Sequence, residues 1–419
     1  MKRRNFLNTS ALGAGVVFLS SCETGVGSDP TMDGLKSLVE DIQAITPEER
    51  AARVSKAQKL MQEQGISVLL LDAGTSLTYF TGISWWPSER PMVGLIPAKG
   101  SLAFICPGFE ENRFREMVEE STKVYAWQED ESPYKLVAKA FTEMGISSGK
   151  VAIEERLRFF IYNGVKEAAP HLEYVSGDSV TVPCRIVKSI SEILLMQKAT
   201  EITTAAIKVG FKALKEGCTP ATFSEAVAAA HTKMGAKHAF ASCNFGEASA
   251  FPHGSGRPQI LKKGDVVLVD CGCTVEGYNA DISRTIVFGA SPTARQQEIW
   301  DLEKKAQAAG FAAAQIGNKL HDVDAAARKV ITDAGFGPDY QLPGLPHRTG
   351  HGIGMDGHEW GNAVKGNETV IEAGMCFSIE PTIAILGEFG VRLEDCVFIS
   401  DDGPKWFSKP SPSILEPFD

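Results

Sequence analysis

The chain has 419 residues, 43% of them hydrophobic and 22% charged, with 42 basic against 52 acidic side chains. That length holds two ordinary domains with real cores, and 40 glycines and 21 prolines exclude a collagen-like or low-complexity chain. A net charge of −10 excludes the basic face that nucleic-acid binding needs.

The first residues read as an address. Met1-Lys2-Arg3-Arg4-Asn5-Phe6-Leu7 is basic, Ala11–Leu19 is mildly apolar, and Leu19-Ser20-Ser21-Cys22 ends in small residues. This pattern predicts an export signal over 1–21 rather than a membrane span. The Arg3-Arg4 pair resembles a twin-arginine signal, and Leu-Ser-Ser-Cys resembles a bacterial lipobox, which makes Cys22 the expected lipidation site. The expectation is therefore a periplasmic or cell-envelope lipoprotein that meets the membrane only through that anchor. The other eight cysteines show no CxxC pair and no Cys/His zinc spacing, so they read as buried free thiols.

Residues 22–45 read as a polar tether. Thr46-Pro47-Glu48-Glu49 is a capping box with proline at the first helical position, predicting a helix to about Gln64 that stops at Gly65. Ile66–Leu71 follows as a buried strand, and Met92–Ile96 with Leu102–Cys106 flank Pro97-Ala98-Lys99-Gly100 as a hairpin. Helices near 110–120 and 133–144 and a strand at Val151–Glu154 complete an α/β unit, set at 46–185. Ser189-Ile190-Ser191-Glu192 then opens a long helix to Gly217, and Thr222-Phe223-Ser224-Glu225 opens another to about Gly235. Strands dominate from Ala239, interrupted by helices at about 293–316 and 321–334. The second unit, 186–419, is thus α+β, helices covering an antiparallel strand set.

An internal echo runs through that unit. Gly264 precedes a strand ending in Asp270, and Gly374 precedes one ending in Glu380, at the same spacing. Asp281 and Glu394 follow at comparable distances, which suggests a twofold duplication bringing four carboxylates to one centre. Those strands are apolar enough to be buried, where unpaired charges are heavily penalised. Two divalent metals would balance all four. Three of eight histidines, His347, His351 and His358, fall in one glycine-rich window. Oxygen ligands with one imidazole suit Mn²⁺, Co²⁺ or Zn²⁺.

Asp270, Asp281, His351, Glu380 and Glu394 resemble the five metal ligands of the pita-bread metallopeptidases. The strings GDVVLVDCG, NADISRT, HRTGHGIG, FSIEP and GVRLED are similar to the prolidase and Xaa-Pro aminopeptidase branch. The resemblance implies a pseudo-twofold antiparallel sheet under helices, preceded by a smaller α/β creatinase-type N-terminal domain. It implies two divalent ions, foremost Mn²⁺, sharing a bridging hydroxide, with Glu380 as proton shuttle. It implies that His253 and His358 contact substrate and steady the tetrahedral intermediate, that His347 lines the proline side, and that Arg392 marks the proline-specific branch as a substrate-binding and catalytic group. Short proline-containing peptides are the implied partners and a homodimer the implied assembly, with Trp85-Trp86 and Glu89-Arg90 as candidates for edging a partner's cleft. Two departures, Thr382-Ile383 after Pro381 and Glu359 after His358, touch the pocket rim and so the substrate. The rival readings are a creatinase-like enzyme hydrolysing a non-peptide C–N bond without metal, a dinuclear enzyme acting on some other amide, and a non-catalytic peptide-binding module. Metal-free relatives lack the carboxylate ligands, and all five stand here.

Overall fold

The computed structural model describes Met32 and residues 34–418, so the leader sequence, its arginine pair and Cys22 lie outside the described residues. Among the described residues no helix is long and apolar enough to cross a membrane.

The N-terminal unit is a six-stranded mixed sheet. Its strands lie in the order Lys123–Trp127, Ala103–Pro107, Val93–Pro97, Ile66–Asp72, Lys150–Ile153 and Glu173–Ser176. Val93–Pro97 runs antiparallel to both of its neighbours and the remaining pairs are parallel. Ile66–Asp72 is central because its run of apolar residues suits burial on both faces. Leu69 and Leu71 enter one core with Val54, Met61 and Phe80 of flanking helices, while Val68 and Leu70 enter the other with Phe141 and Val165.

The C-terminal unit places helices Ile190–Ala213, Pro220–Lys233, Ala294–Ala313 and Leu320–Asp333 over antiparallel sheets. One sheet orders Ile282–Val287, Val266–Val275 and Lys237–Phe245. The other orders Glu359–Ala363, Gly350–Gly352, Cys376–Ile379, Asp395–Ser400 and Gly403–Trp406. A bridge between Ser283 and Glu394 stitches the two together, and the hairpin Thr382–Ile385 with Phe389–Arg392 lies beside them. The echo in the sequence is visible here: Asp281 immediately precedes Ile282–Val287, and Glu394 immediately precedes Asp395–Ser400.

Several sequence expectations shift. The helix expected near 110–120 is only a turn, Gly108–Glu110, followed by Glu111–Arg115. The long helix stops at Ala213, four residues before Gly217. The next starts at Pro220, not after Thr222, because proline at its first position fixes the entry and Thr219 is the cap residue. Helices Thr75–Thr81, Phe159–Ala168 and Asp178–Arg185 and strands Lys123–Trp127 and Glu173–Ser176 were not anticipated. From Leu35 the stretch read as a tether is packed: Leu35, Val39 and Ile42 lie against the C-terminal core, Ile45 is inside it, and the Leu38 amide donates to the Met234 carbonyl.

Candidate metal centre

The four carboxylates arrive from strand ends where the period of two sets their direction. Asp270 lies within Val266–Val275, opposite Ser283 in register. Its neighbours Cys271 and Cys273 are fully buried in the apolar core. Glu380 follows Cys376–Ile379 and Glu394 precedes Asp395–Ser400, strands that pair directly. His351 sits in Gly350–Gly352, and both glycines are obligatory. A Cβ on Gly350 would lie 1.9 Å from the Ser378 carbonyl oxygen, and one on Gly352 would lie 1.6 Å from that of Trp360. Nothing larger lets this strand approach so closely.

The groups then converge. His351 Nδ1 lies 3.1 Å from the Gly352 carbonyl. A carbonyl only accepts, so Nδ1 donates to it and Nε2 is the ring nitrogen turned to the acids. Nε2 faces Glu380 at 3.1 Å, Asp281 at 3.7 Å and Glu394 at 4.0 Å. Asp270, Asp281 and Glu394 offer ligand atoms within 4.8 Å of one another, as do His351, Glu380 and Glu394, and as do Asp281, His351 and His358. Asp270 Oδ1, Asp281 Oδ1 and Glu394 Oε1 are buried with no hydrogen-bond partner. Three overlapping donor sets, an imidazole nitrogen aimed at the acids and three orphaned carboxylate oxygens suit divalent cations.

Electrostatics agree. Burial, then Glu394, Asp270 and Glu380, push the Asp281 carboxyl well above its ordinary range. Burial, Glu380 and Asp270 do the same to Glu394. Burial would also raise Glu380, but His351, His347 and Arg392 outweigh it and hold that carboxyl at about 2. Four acids face one buried guanidinium, a deficit of positive charge that two divalent ions would fill.

Supporting groups fix the donors. The Ser283 hydroxyl donates to Glu394 at 2.7 Å, and the Ser378 hydroxyl donates to Glu380 at 3.0 Å. Neither serine was anticipated, although each lies two residues from a ligand on a strand, where alternation puts it on the same face. Arg392 spends all three nitrogens on the protein: Nη2 to Asp270 at 2.8 Å, Nε to Ser283 at 2.9 Å and Nη1 to the Pro252 carbonyl at 3.1 Å. Its contacts therefore hold Asp270 in place.

A cavity of about 680 Å³ opens onto this centre, lined by His253, His347, Arg348, His358, Phe240 and the acids. His347 is pinned, Nδ1 against the Arg348 carbonyl at 2.7 Å and Nε2 against the Thr382 hydroxyl at 3.0 Å. His358 stacks on His351 with ring centroids 3.8 Å apart, and its Nδ1 lies 3.0 Å from Arg348 Nη2. Burial, His351 and Arg348 lower its pKa to about 4, so it is neutral at physiological pH. His253 lines the cavity from an exposed loop. Arg348 was not anticipated as a lining group. Trp86 is exposed to solvent on the N-terminal unit, while Trp85 packs edge-on against Phe114 under Arg113.

The chain matches the model of metallopeptidase family M24 over residues 194–401 and that of the creatinase/prolidase N-terminal domain over 53–187. It is 32% identical to an Xaa-Pro dipeptidase of Lactobacillus delbrueckii subsp. lactis over 377 residues, spanning 86% of this chain and 98% of that one. It is 31% identical to an Xaa-Pro dipeptidase of Pyrococcus furiosus, spanning 87% and 99%. Among solved structures, dipeptidase PepE from Mycobacterium ulcerans superposes with a TM-score of 0.82 at 30% identity, covering 89% of this chain and 99% of that one. With the two-unit architecture, the glycine-lined His351 strand and the five converging donors, these likenesses show that the chain is a metallopeptidase of family M24 carrying a creatinase/prolidase N-terminal domain.

Proposed function

We propose that this metallopeptidase cleaves the Xaa-Pro bond of short peptides, dipeptides foremost. The observation that carries the reading is the set of orphaned oxygens of Asp270, Asp281 and Glu394 around His351 Nε2, in the lining of one cavity. Those four residues and Glu380 would hold two divalent ions, Mn²⁺ foremost, with Co²⁺ and Zn²⁺ as alternatives for such ligands. When bound, a pair of this kind lowers the pKa of water and polarises a carbonyl. The relatives named Xaa-Pro dipeptidase support the substrate class.

The chain's own residues then have assigned tasks. Glu380, already ionised, takes a proton on a carboxylate oxygen and returns it to the leaving proline nitrogen. His358, neutral and next to His351, donates toward the carbonyl oxygen of the scissile bond, and His253 faces it from the loop above. His347 and Phe240 wall the proline ring, and Arg392 keeps Asp270 aimed at the centre. Proline peptides need such a dedicated site because the imide nitrogen has no hydrogen and the ring fixes the backbone. A homodimer, with the exposed Trp86 edging the partner's cleft, and export with lipid attachment at Cys22 complete the reading. Mass spectrometry of the mature N-terminal peptide tests the latter.

The direct test is proline release from Gly-Pro and Ala-Pro by the Mn²⁺-loaded protein, with Ala-Pro-Pro, Ala-Leu and a chelator as controls. Cleavage of the Xaa-Pro dipeptides, lost with chelator, is expected. Turnover of Ala-Leu alone would overturn the substrate class, and preference for Ala-Pro-Pro would make the activity that of an aminopeptidase.

A further inference from the structure

His358 ends a loop whose first half is held by Asn279, which donates from its amide and side chain to the Gly354 carbonyl and from its side chain to the Met355 carbonyl, and whose second half turns to the other unit. Residues 353–358 connect Gly350–Gly352 to Glu359–Ala363 and contain Gly354 and Gly357; a Cβ on Gly357 would touch nothing. The imidazole has one ring stack and one polar neighbour, so its position depends on the residues flanking it.

Those flanking residues are both acids, and both are gripped from the other unit. Asp356, two residues before His358, accepts from the Thr75 hydroxyl at 2.7 Å and pairs with Arg156 at 2.9 Å and Arg185 at 2.8 Å. Glu359, immediately after His358, is buried between Arg185 and Lys188, and its carboxylate also caps the Asp356 amide. Arg156 Nη2 reaches the carbonyl oxygen of His358 itself at 3.4 Å. Arg185 in turn donates to the Ser76 hydroxyl. Thr75, Ser76 and Arg156 belong to the N-terminal unit, and Arg185 ends its last helix. Every cation in this cluster comes from the N-terminal unit or its junction, while Asp356 comes from the loop and Glu359 from the start of the strand that follows it.

We propose that the N-terminal unit positions the hydrolytic site, with Arg156 and Arg185 clamping Asp356 and Glu359 so that His358 is presented to the cavity. This rests on the role given to His358 under the proposed function. Arg156 is a positioning residue: it touches the loop and never the cavity. Arg156 spans Asp356 and the His358 carbonyl with its two terminal nitrogens, and Arg185 Nη2 joins Asp356 to Glu359, so charge-assisted bonds fix two points of a glycine-containing segment.

The test uses Arg156, whose side chain is half exposed, and circular dichroism checks that each variant keeps its fold. Arg156→Gln is expected to lower kcat on Ala-Pro about 10-fold, the scale of a lost outer-shell support, with KM and bound metal little changed. Arg156→Lys, which keeps the charge, is expected to recover part of the loss. In a His358→Ala background, Arg156→Gln is expected to cost nothing further, because its effect passes through the imidazole. An unchanged kcat, or a full independent loss in that background, would overturn the proposal. A second measurement needs no substrate. In histidine-labelled protein the His358 ring resonance, assigned by its disappearance in His358→Ala, feels the ring current of His351 and is expected to move in Arg156→Gln. An unmoved resonance counts against the clamp even if no proline peptide is cleaved, whereas a moved one beside an inactive wild type would leave the clamp standing and remove only the substrate assignment.

Discussion

At the scale of single residues the site is defined by what its acids lack. Three buried carboxylate oxygens have no donor, and the Arg392 guanidinium is already shared among Asp270, Ser283 and a backbone carbonyl. Removing metal therefore leaves acids that repel one another. Asp281 and Glu394 have raised folded-state pKa values, so their contribution is fully present below the unfolded carboxylate range and is lost as pH rises through the folded values. Chelated protein is expected to melt lower at pH 8 than at pH 5, and Mn²⁺ at a hundredfold excess over its Kd should restore about 2.7 kcal/mol at pH 8. Calorimetry with and without chelator checks this; a chelated protein equally stable at both pH values would contradict it. Glu380→Gln should lower kcat by about 10²–10⁴, the usual scale for a lost proton carrier, with the fold intact by circular dichroism. Asp270 and Glu380 were legible as acids ending apolar runs, Asp281 and Glu394 by the spacing that echoes between the two halves, and His351 by its glycine-rich window with two other histidines. Ser283 and Ser378 were not, since a serine two residues along a strand has no meaning until the face it shares is known.

Elements rather than residues decide what lies behind the centre. Helix Ala294–Ala313 turns Glu303 inward at complete burial, with the Leu393 amide facing its carboxylate. Burial raises its pKa well above the ordinary value, and the Leu393 amide and Arg392 offset only part of that. Helix Pro220–Lys233 does the opposite with a base. His231 is fully buried, its Nδ1 3.0 Å from His238 Nδ1, and burial followed by the His238 charge lowers its pKa to about 3. The two groups bend the stability curve in opposite directions. Glu303 stabilises below the unfolded carboxylate pKa and loses that as pH climbs, so Glu303→Gln should melt higher than wild type at pH 8 and match it at pH 4. His231 is neutral in the fold, so its contribution is whole above about pH 6.5 and drains away toward pH 3. His231→Gln should accordingly flatten the acid limb of a Tm-against-pH plot while leaving the alkaline limb alone. The capping box at Ser189 made that long helix readable in advance, whereas the one at Thr293 emerges only in the structure. The short helix Thr75–Thr81 was missed because Gly74 caps it without a side chain, so nothing local announces its start.

Across the whole molecule, the two units share a second buried polar junction besides the loop clamp. Arg53, on the first helix, donates to the Tyr79 carbonyl at 3.1 Å, to Tyr278 Oη at 3.1 Å and to Glu49 at 2.8 Å, and lies 3.5 Å from Glu192. Tyr278 completes the circuit by donating to Glu192 at 2.8 Å. Glu192 also closes the capping box of helix Ile190–Ala213, so one carboxylate serves the helix start and the junction together. No pattern in the sequence could show this, because Arg53 and Tyr278 are brought together only by the docking of two separately readable units. Replacing Arg53 with methionine keeps most of the side-chain volume and removes the charge that Glu192 faces. Breaking one partner out of a buried ion pair costs about 3–5 kcal/mol, so Arg53→Met should lower Tm by several degrees at neutral pH. The junction also determines how the loss is distributed. If it couples the units, wild type melts as one calorimetric transition and Arg53→Met separates into two, with the C-terminal transition still rising on addition of Mn²⁺ because the metal donors all belong to that unit. A variant that melts in a single transition at the wild-type temperature would mean that the junction carries no coupling, and that the apolar contacts between the units suffice to hold them together.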